Sequence, residues 1–192
     1  MPDDEVTAVD DAVAALLRGE VVVVPTDTVY GVAVAASVAG ATARLFEVKA
    51  RPTDVALPVL VADEEQARTI AEVPPRAAAL MAAHWPGGLT IVLPRRAEFD
   101  VDLGGTDPST VGVRVPDHDV PRELARRVGP LVTTSANRHG QPTPATADEV
   151  RSQLDVGVVV DGGRCDGAPS TVVRVRGDDI EILRQGAVVI GA

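Results

Sequence analysis

The sequence predicts an α/β domain in which helices pack on a mixed sheet. Short Val/Ile/Leu runs alternate with helix-patterned segments from end to end, the pattern of strands buried among helices. At 192 residues the chain suits one domain and can bury roughly 70% of its unfolded surface without staples. No internal repeat and no linker-like stretch divides it, so residues 1–192 read as a single domain.

The elements follow in order. Thr7 to Arg18 reads as the first helix, with Thr7 and Asp10 as a capping-box pair and Gly19 as its stop. Met1 to Glu5 are expected to fray. Val21 to Val24 is a buried strand running into the turn Pro25-Thr26-Asp27. Ser37 to Lys49 is helical in pattern, anchored by Leu45, Phe46 and Val48. Leu57 to Ala62 is a strand, followed by helices over Asp63 to Val73 and Pro75 to His84. Strands are expected at Leu89 to Leu93 and Val111 to Val115. The Asp- and Gly-rich stretch between them, Glu98 to Ser109, reads as loop. Val120 to Val128 is a helix, Leu131 to Thr134 a strand, and Thr146 to Leu154 a helix capped by Thr146. The chain then turns to β at Val156 to Val160, Thr171 to Val175 and Ile180 to Leu183.

Composition narrows the function. The formal charge is −10, with 28 acidic residues against 18 basic ones and a pI near 4.7, which argues against non-specific duplex binding as the main activity. Lys49 is the single lysine, and the other bases are arginines. One cysteine, Cys165, excludes an intramolecular disulfide and a multi-cysteine metal site. The acidic start MPDDEV is unlike a signal peptide, and no apolar run reaches the ~18 residues of a membrane span. A soluble cytoplasmic protein is expected.

No phosphate-loop, dinucleotide, nucleophile-elbow or HExxH signature occurs, and His84, His118 and His139 are scattered. What remains is a set of polar segments at strand ends, the usual ligand edge of an open α/β sheet. Thr26, Asp27 and Thr28 crowd the end of the VVVV strand; this is either a turn before another strand or a set of hydroxyls for a small polar ligand. Lys49 and Arg51 end a helix. They either complement its dipole or pair a compact ammonium with a forked guanidinium for polyphosphate. Thr133, Thr134, Ser135, Asn137 and Thr143 follow a buried strand. Arg114, amid valines, needs an anionic partner or a solvated face. Ser170, Thr171 and Arg184 lie beside C-terminal strands.

In this order the segments resemble the YrdC-like family of threonylcarbamoyl-AMP synthases. The matching stretches are PTDTVYG (Pro25 to Gly31), KARP (Lys49 to Pro52), LPVLV (Leu57 to Val61), HWPGGLTIVL (His84 to Leu93), STVGVRVPDH (Ser109 to His118), GPLVTTSANRHGQPTP (Gly129 to Pro144), PSTVVR (Pro169 to Arg174) and ILRQGAV (Ile182 to Val188). Eight motifs in order span nearly the whole chain.

The resemblance implies a twisted open α/β sheet with a deep concave pocket. It also implies a reaction. L-Threonine and bicarbonate form a carbamate that attacks the α-phosphate of ATP, releasing pyrophosphate and threonylcarbamoyl-AMP for tRNA modification. By the same resemblance Thr28, Arg114, Thr133 and Ser170 bind threonine, with Arg114 as the carboxylate clamp. Lys49 and Arg51 are the phosphate pair and the catalytic candidates; Thr110, Ser135, Asn137, Thr143 and Arg184 surround the rest of the nucleotide. A divalent ion, Mg²⁺, is expected to bridge the phosphates, with no protein ligand assigned. No side chain stands out as a general base, which a reaction resting on positioning and charge stabilisation tolerates.

The chain departs from the family pattern at Val55, Leu60, Gly88, His139, Arg174 and Gln185, and VAVAAS follows PTDTVYG. Val55, His139 and Arg174 motivate an alternative: a YciO-like paralogue that binds nucleotide or double-stranded RNA with weak or no synthase activity. Another carbamoyl-phosphate-type transferase is a third reading, which the short chain disfavours. Partners beyond the three substrates would be tRNA-modification proteins or RNA.

Overall fold

The computed structural model describes residues 3–49, 54–138 and 140–191, with side chains from Thr7 onward. Six helices and nine strands are found among them. Helix α1 (Asp3–Leu17) leads to β1 (Val22–Val24), β2 (Gly31–Ala35), α2 (Ala41–Lys49) and β3 (Val59–Leu60). Next come α3 (Glu64–Ile70), α4 (Pro75–His84), β4 (Leu89–Pro94), β5 (Thr110–Arg114), α5 (Asp119–Val128) and β6 (Leu131–Ser135). The last part holds α6 (Ala147–Gln153), β7 (Val158–Val159), β8 (Thr171–Arg176) and β9 (Asp179–Arg184).

The strands form one open sheet in the order β7-β1-β2-β6-β3-β5-β4-β8-β9. It is mixed, as expected: β7 and β1, β3 and β5, and β4 and β8 pair in parallel, and the other neighbours pair antiparallel. None of the helices is long and apolar enough to cross a membrane.

Most predicted elements occur, with shifted ends. Helix α1 already runs through Asp3 to Glu5, so the expected fraying does not extend over them and Thr7 lies inside the helix rather than capping it. Met1 and Pro2 lie outside the described residues. Gly19 stops the helix with φ +74°, a left-handed conformation that suits glycine. Asp63 caps α3 by accepting from the Gln66 N–H. Thr146 caps α6, and His118 caps α5 through Nδ1. Strand β2 follows the Pro25-Thr26-Asp27 turn, where one of the two readings of the sequence places another strand without bounds. All five of its residues are buried, because it lies mid-sheet under cover on both faces and so shows no polar alternation.

Side-chain alternation sorts the two faces. Val23, Val32, Val34, Val59, Val132, Ile91, Val113 and Val173 join one apolar cluster with Leu45 of α2, Ile70 of α3, Met81 of α4 and Val150 of α6. On the opposite face Val22, Val24, Ala33, Ala35, Leu60 and Leu131 pack against Val9, Val13 and Leu16 of α1 and Val120, Leu124 and Val128 of α5. That second cover stops at Leu60. Leu60 is in register with Arg114, and from there across β5, β4 and β8 the same face forms the wall of a cavity.

Candidate active site

The cavity measures about 530 Å³ and is lined by Thr90 and Val92 of β4, Thr110, Gly112 and Arg114 of β5, and Val172 and Arg174 of β8. Thr133 and Ser135 of β6, Thr28, Ser170 and Thr143 from loops, and Arg184 of β9 add to its polar lining. These are the cross-face partners of Leu89, Ile91, Val111, Val113 and Val173, so alternation delivers polar side chains to one side of strands that are apolar on the other.

The end nearest β1 is organised around a buried guanidinium. Thr26 Oγ1 accepts from the N–H groups of Thr28 and Val29 and donates to the Val29 carbonyl, fixing the turn that presents Asp27 and Thr28. Arg114 donates from Nη2 to Asp27 Oδ1 at 2.6 Å, from Nη1 to Thr28 Oγ1 at 2.9 Å and from Nε to the Gly87 carbonyl at 2.9 Å. Its side chain is 7% exposed and that of Asp27 17%. Burial draws the Arg114 pKa below its ordinary value, and the Asp27 carboxylate opposes the shift; an arginine keeps its charge through such a shift. The described residues engage three of its five N–H groups, so the guanidinium is already aimed and can still receive a carboxylate.

Beside Arg114, Thr90 Oγ1 and Ser170 Oγ lie 2.9 Å apart. Arg184 grips Ser170 through the carbonyl and the hydroxyl at 2.8 to 3.1 Å. Gly88 closes this end: a Cβ there would sit 2.9 Å from Ala187 Cβ and 3.5 Å from Thr28 Cγ2, so a larger residue would displace the segment before the last residues.

Thr28, Thr110, Arg114, Thr133, Ser135, Thr143, Ser170 and Arg184, assigned from separate stretches of sequence, thus line one cavity. Lys49 and Asn137 stand behind its wall. Lys49 is 3% exposed, and its ammonium donates to the Ser135 carbonyl at 2.6 Å, to the Asn137 carbonyl, and to Asn137 Oδ1 at 3.1 Å. Asn137 Oδ1 also accepts from Ser135 Oγ at 2.6 Å. Lys49 therefore ties the end of α2 to the loop after β6. Arg51 and His139 lie outside the described residues. Sequence reasoning assigned no role to two residues that the geometry brings in. Asp27 is the anionic partner that a buried Arg114 required. Thr90 is a hydroxyl at the alternate position of an otherwise apolar LTIVL strand, and that break was its only signal.

Residues 14–186 match the Sua5/YciO/YrdC domain family, whose description reads telomere recombination. The chain belongs to this family. It is 37% identical over 194 residues to the threonylcarbamoyl-AMP synthase of Bacillus subtilis, covering 96% of this chain and 56% of that protein. Among solved structures it is similar to Pyrococcus abyssi Sua5 complexed with L-threonine, with a TM-score of 0.86 and 34% identity over 93% of this chain and 54% of the other. It is also similar to Escherichia coli YciO, with a TM-score of 0.82 and 26% identity, covering 93% of this chain and 88% of the other. The chain thus spans just over half of the Bacillus subtilis synthase and of the Pyrococcus abyssi Sua5. Within this Sua5/YciO/YrdC member, three departures from the family's motif pattern, Val55, Leu60 and Arg174, all line the cavity.

Proposed function

We propose that the cavity makes threonylcarbamoyl-AMP and pyrophosphate from L-threonine, bicarbonate and ATP, so that the chain is a threonylcarbamoyl-AMP synthase. The observation that carries this is the buried Arg114–Thr28–Ser170 end of the cavity, in a chain so similar to a synthase and to a Sua5 that holds L-threonine. Arg114 clamps the amino-acid carboxylate while Asp27 holds its guanidinium in place. Thr28, Thr133 and Ser170 supply hydroxyls to the rest of the threonine. The amino group and bicarbonate join as a carbamate with loss of water. A carbamate oxygen then attacks the α-phosphorus, and pyrophosphate leaves.

Thr110, Ser135, Thr143 and Arg184 line the cavity and surround the nucleotide, and by the family pattern alone Arg51 serves its phosphates. Lys49 acts on the reaction by fixing the Ser135 to Asn137 backbone and by adding positive charge behind it. Catalysis rests on positioning and charge rather than on a dedicated base. Among the described residues no group of three or more His, Cys, Asp or Glu could hold a metal ion, and the carboxylates at the cavity are Asp54 and Asp107. Mg²⁺ would enter with ATP and would offset the charge of its phosphates. The product serves tRNA modification in the cytoplasm, where its consumers would be tRNA-modification proteins.

The test is pyrophosphate release with ATP, bicarbonate and L-threonine, which should require threonine. Release that is equal without threonine overturns the reading. Nucleotide binding with no threonine-dependent turnover would favour the paralogue alternative.

A further inference from the structure

Thr90 is a buried cavity hydroxyl to which the proposed reaction gives no part. It is 4% exposed and lines the cavity from β4. The β4–β5 register pairs Ile91 with Val113, which puts Thr90 opposite Arg114 one residue on. Two neighbours fix its side chain. A Cβ at Gly112 would lie 3.4 Å from Thr90 Cγ2, so the bare glycine leaves the methyl its place. The hydroxyl lies 2.9 Å from Ser170 Oγ. A β-branched residue is stiff about χ1, so seating the methyl also aims the hydroxyl.

Ser170 is held from two directions. Arg184 donates from Nε and Nη2 to the Ser170 carbonyl at 3.1 and 2.8 Å, which fixes the backbone. The serine hydroxyl could still rotate to suit its partners, and it meets Arg184 Nη2 at 3.1 Å and Thr90 Oγ1. A guanidinium only donates, so Arg184 takes one lone pair of Ser170 Oγ. The two hydroxyls carry two protons, of which their mutual bond uses one. If Thr90 donates, both lone pairs of Ser170 Oγ are filled and the spare proton is on Ser170. If Ser170 donates, the spare proton is on Thr90, which has no other hydrogen-bond partner among the described residues. The first arrangement leaves the proton on the hydroxyl that the threonine reading already uses.

We propose that Thr90 is a positioning residue for the amino acid. It donates to Ser170 Oγ and, with Arg184 donating to the same oxygen, turns the Ser170 proton toward an oxygen of bound L-threonine. The assignment rests on the synthase reading for the identity of the amino acid. Thr90→Val keeps the shape and removes the hydroxyl. Calorimetry with L-threonine on the full chain should show binding about tenfold weaker, the worth of one directed hydrogen bond. The KM for L-threonine should rise alike, while the KM for ATP stays within about twofold. Thr90→Ser, which keeps the donor, should restore L-threonine binding to within about threefold of the parent. Because Thr90 acts through Ser170, Thr90→Val should cost no further affinity in a Ser170→Ala background.

Unchanged L-threonine binding in Thr90→Val, with only the midpoint of urea unfolding lowered, would overturn the proposal and leave the hydroxyl pair a matter of packing. So would a further tenfold loss in the Ser170→Ala background, since Thr90 would then act by itself. The synthase reading fails separately. L-Threonine binding that depends on Thr90, with pyrophosphate release that ignores threonine, upholds this proposal and overturns the synthase. Threonine-dependent turnover with Thr90-independent binding does the reverse.

Discussion

Over β1, β2 and the start of β6, the alternate residues Val22, Val24, Ala33, Ala35 and Leu131 are apolar, fully buried and covered by α1 and α5. Over β5, β4 and β8, the equivalent positions of the same face carry Thr90, Gly112, Arg114, Val172 and Arg174 and line the cavity. The covered half gains stability from non-directional burial, at roughly 25 cal/mol per Å² of apolar surface. In the open half the charged and hydroxyl groups must be held by directed bonds, as Arg114 is by Asp27, Thr28 and Gly87. Substitutions in the two halves should therefore separate stability from activity.

Arg114→Ala is expected to have the largest effect. It leaves Asp27 mostly buried without its counter-ion, which should cost about 3 kcal/mol of stability in urea unfolding. It also removes the carboxylate clamp, so threonine-dependent pyrophosphate release should fall by at least about a hundredfold. Near-normal turnover in this variant would erase the functional side of the contrast. Leu124→Ala probes the covered half. Leu124 is fully buried between α5 and the sheet, and its truncation should cost about 3 kcal/mol. KM values for ATP and threonine should stay within about twofold, because Leu124 lies outside the cavity lining and meets it only through the apolar cluster that includes Leu60. A raised KM would mean that the two halves are coupled.

The division between the halves was only partly legible in the sequence. Periodicity located most strands and helices, because a stripe facing one cover leaves a repeating signature. It gave β2 no bounds, because GVAVA is buried on both faces and carries no repeat to mark its ends. The cavity residues were gathered by resemblance and not by pattern: nothing local in STVGVRV says that Arg114 meets Asp27, 87 residues away in the chain. Charge logic did require an anionic partner for Arg114, and only the register of β5 beside β3 and β4 shows which one. The rarity of lysine was informative for a reason the sequence could not display. Two carbonyls and an amide oxygen converge on Lys49 Nζ, a geometry that an ammonium with its donors on one atom matches and a planar guanidinium does not.

That convergence gives the third prediction, at the seam behind the cavity wall. Lys49→Arg keeps the charge but cannot place its donors on one point. Stability should drop by about 1–2 kcal/mol and kcat/KM by about tenfold, through a displaced Ser135. If Lys49 acted only as a diffuse charge, arginine would substitute for it with turnover unchanged.

Tyr30 gives the smallest effect and tests the apolar side of the sheet, where it joins the cluster packed by α2, α3, α4 and α6. Its ring is fully buried, and its hydroxyl donates to the Gly163 carbonyl at 2.7 Å and lies 3.2 Å from Asp161 Oδ1. Burial, with Cys165 and Asp161 adding to it, pushes the phenol pKa up to about 12, against the opposing Gly162 N–H. The folded state thus prefers the protonated phenol. Its stabilising contribution is complete below the unfolded pKa of about 10 and is lost as pH rises toward the folded value of about 12. Tyr30→Phe removes the hydroxyl and cannot ionise, so it should be less stable than the parent at pH 8 by about 1 kcal/mol. Urea unfolding at successive alkaline pH values should show that gap shrinking between pH 10 and 12. A gap that stays constant through this window would mean that the phenol ionises as readily in the fold as in the open chain, and that burial on this side does not discriminate against charge.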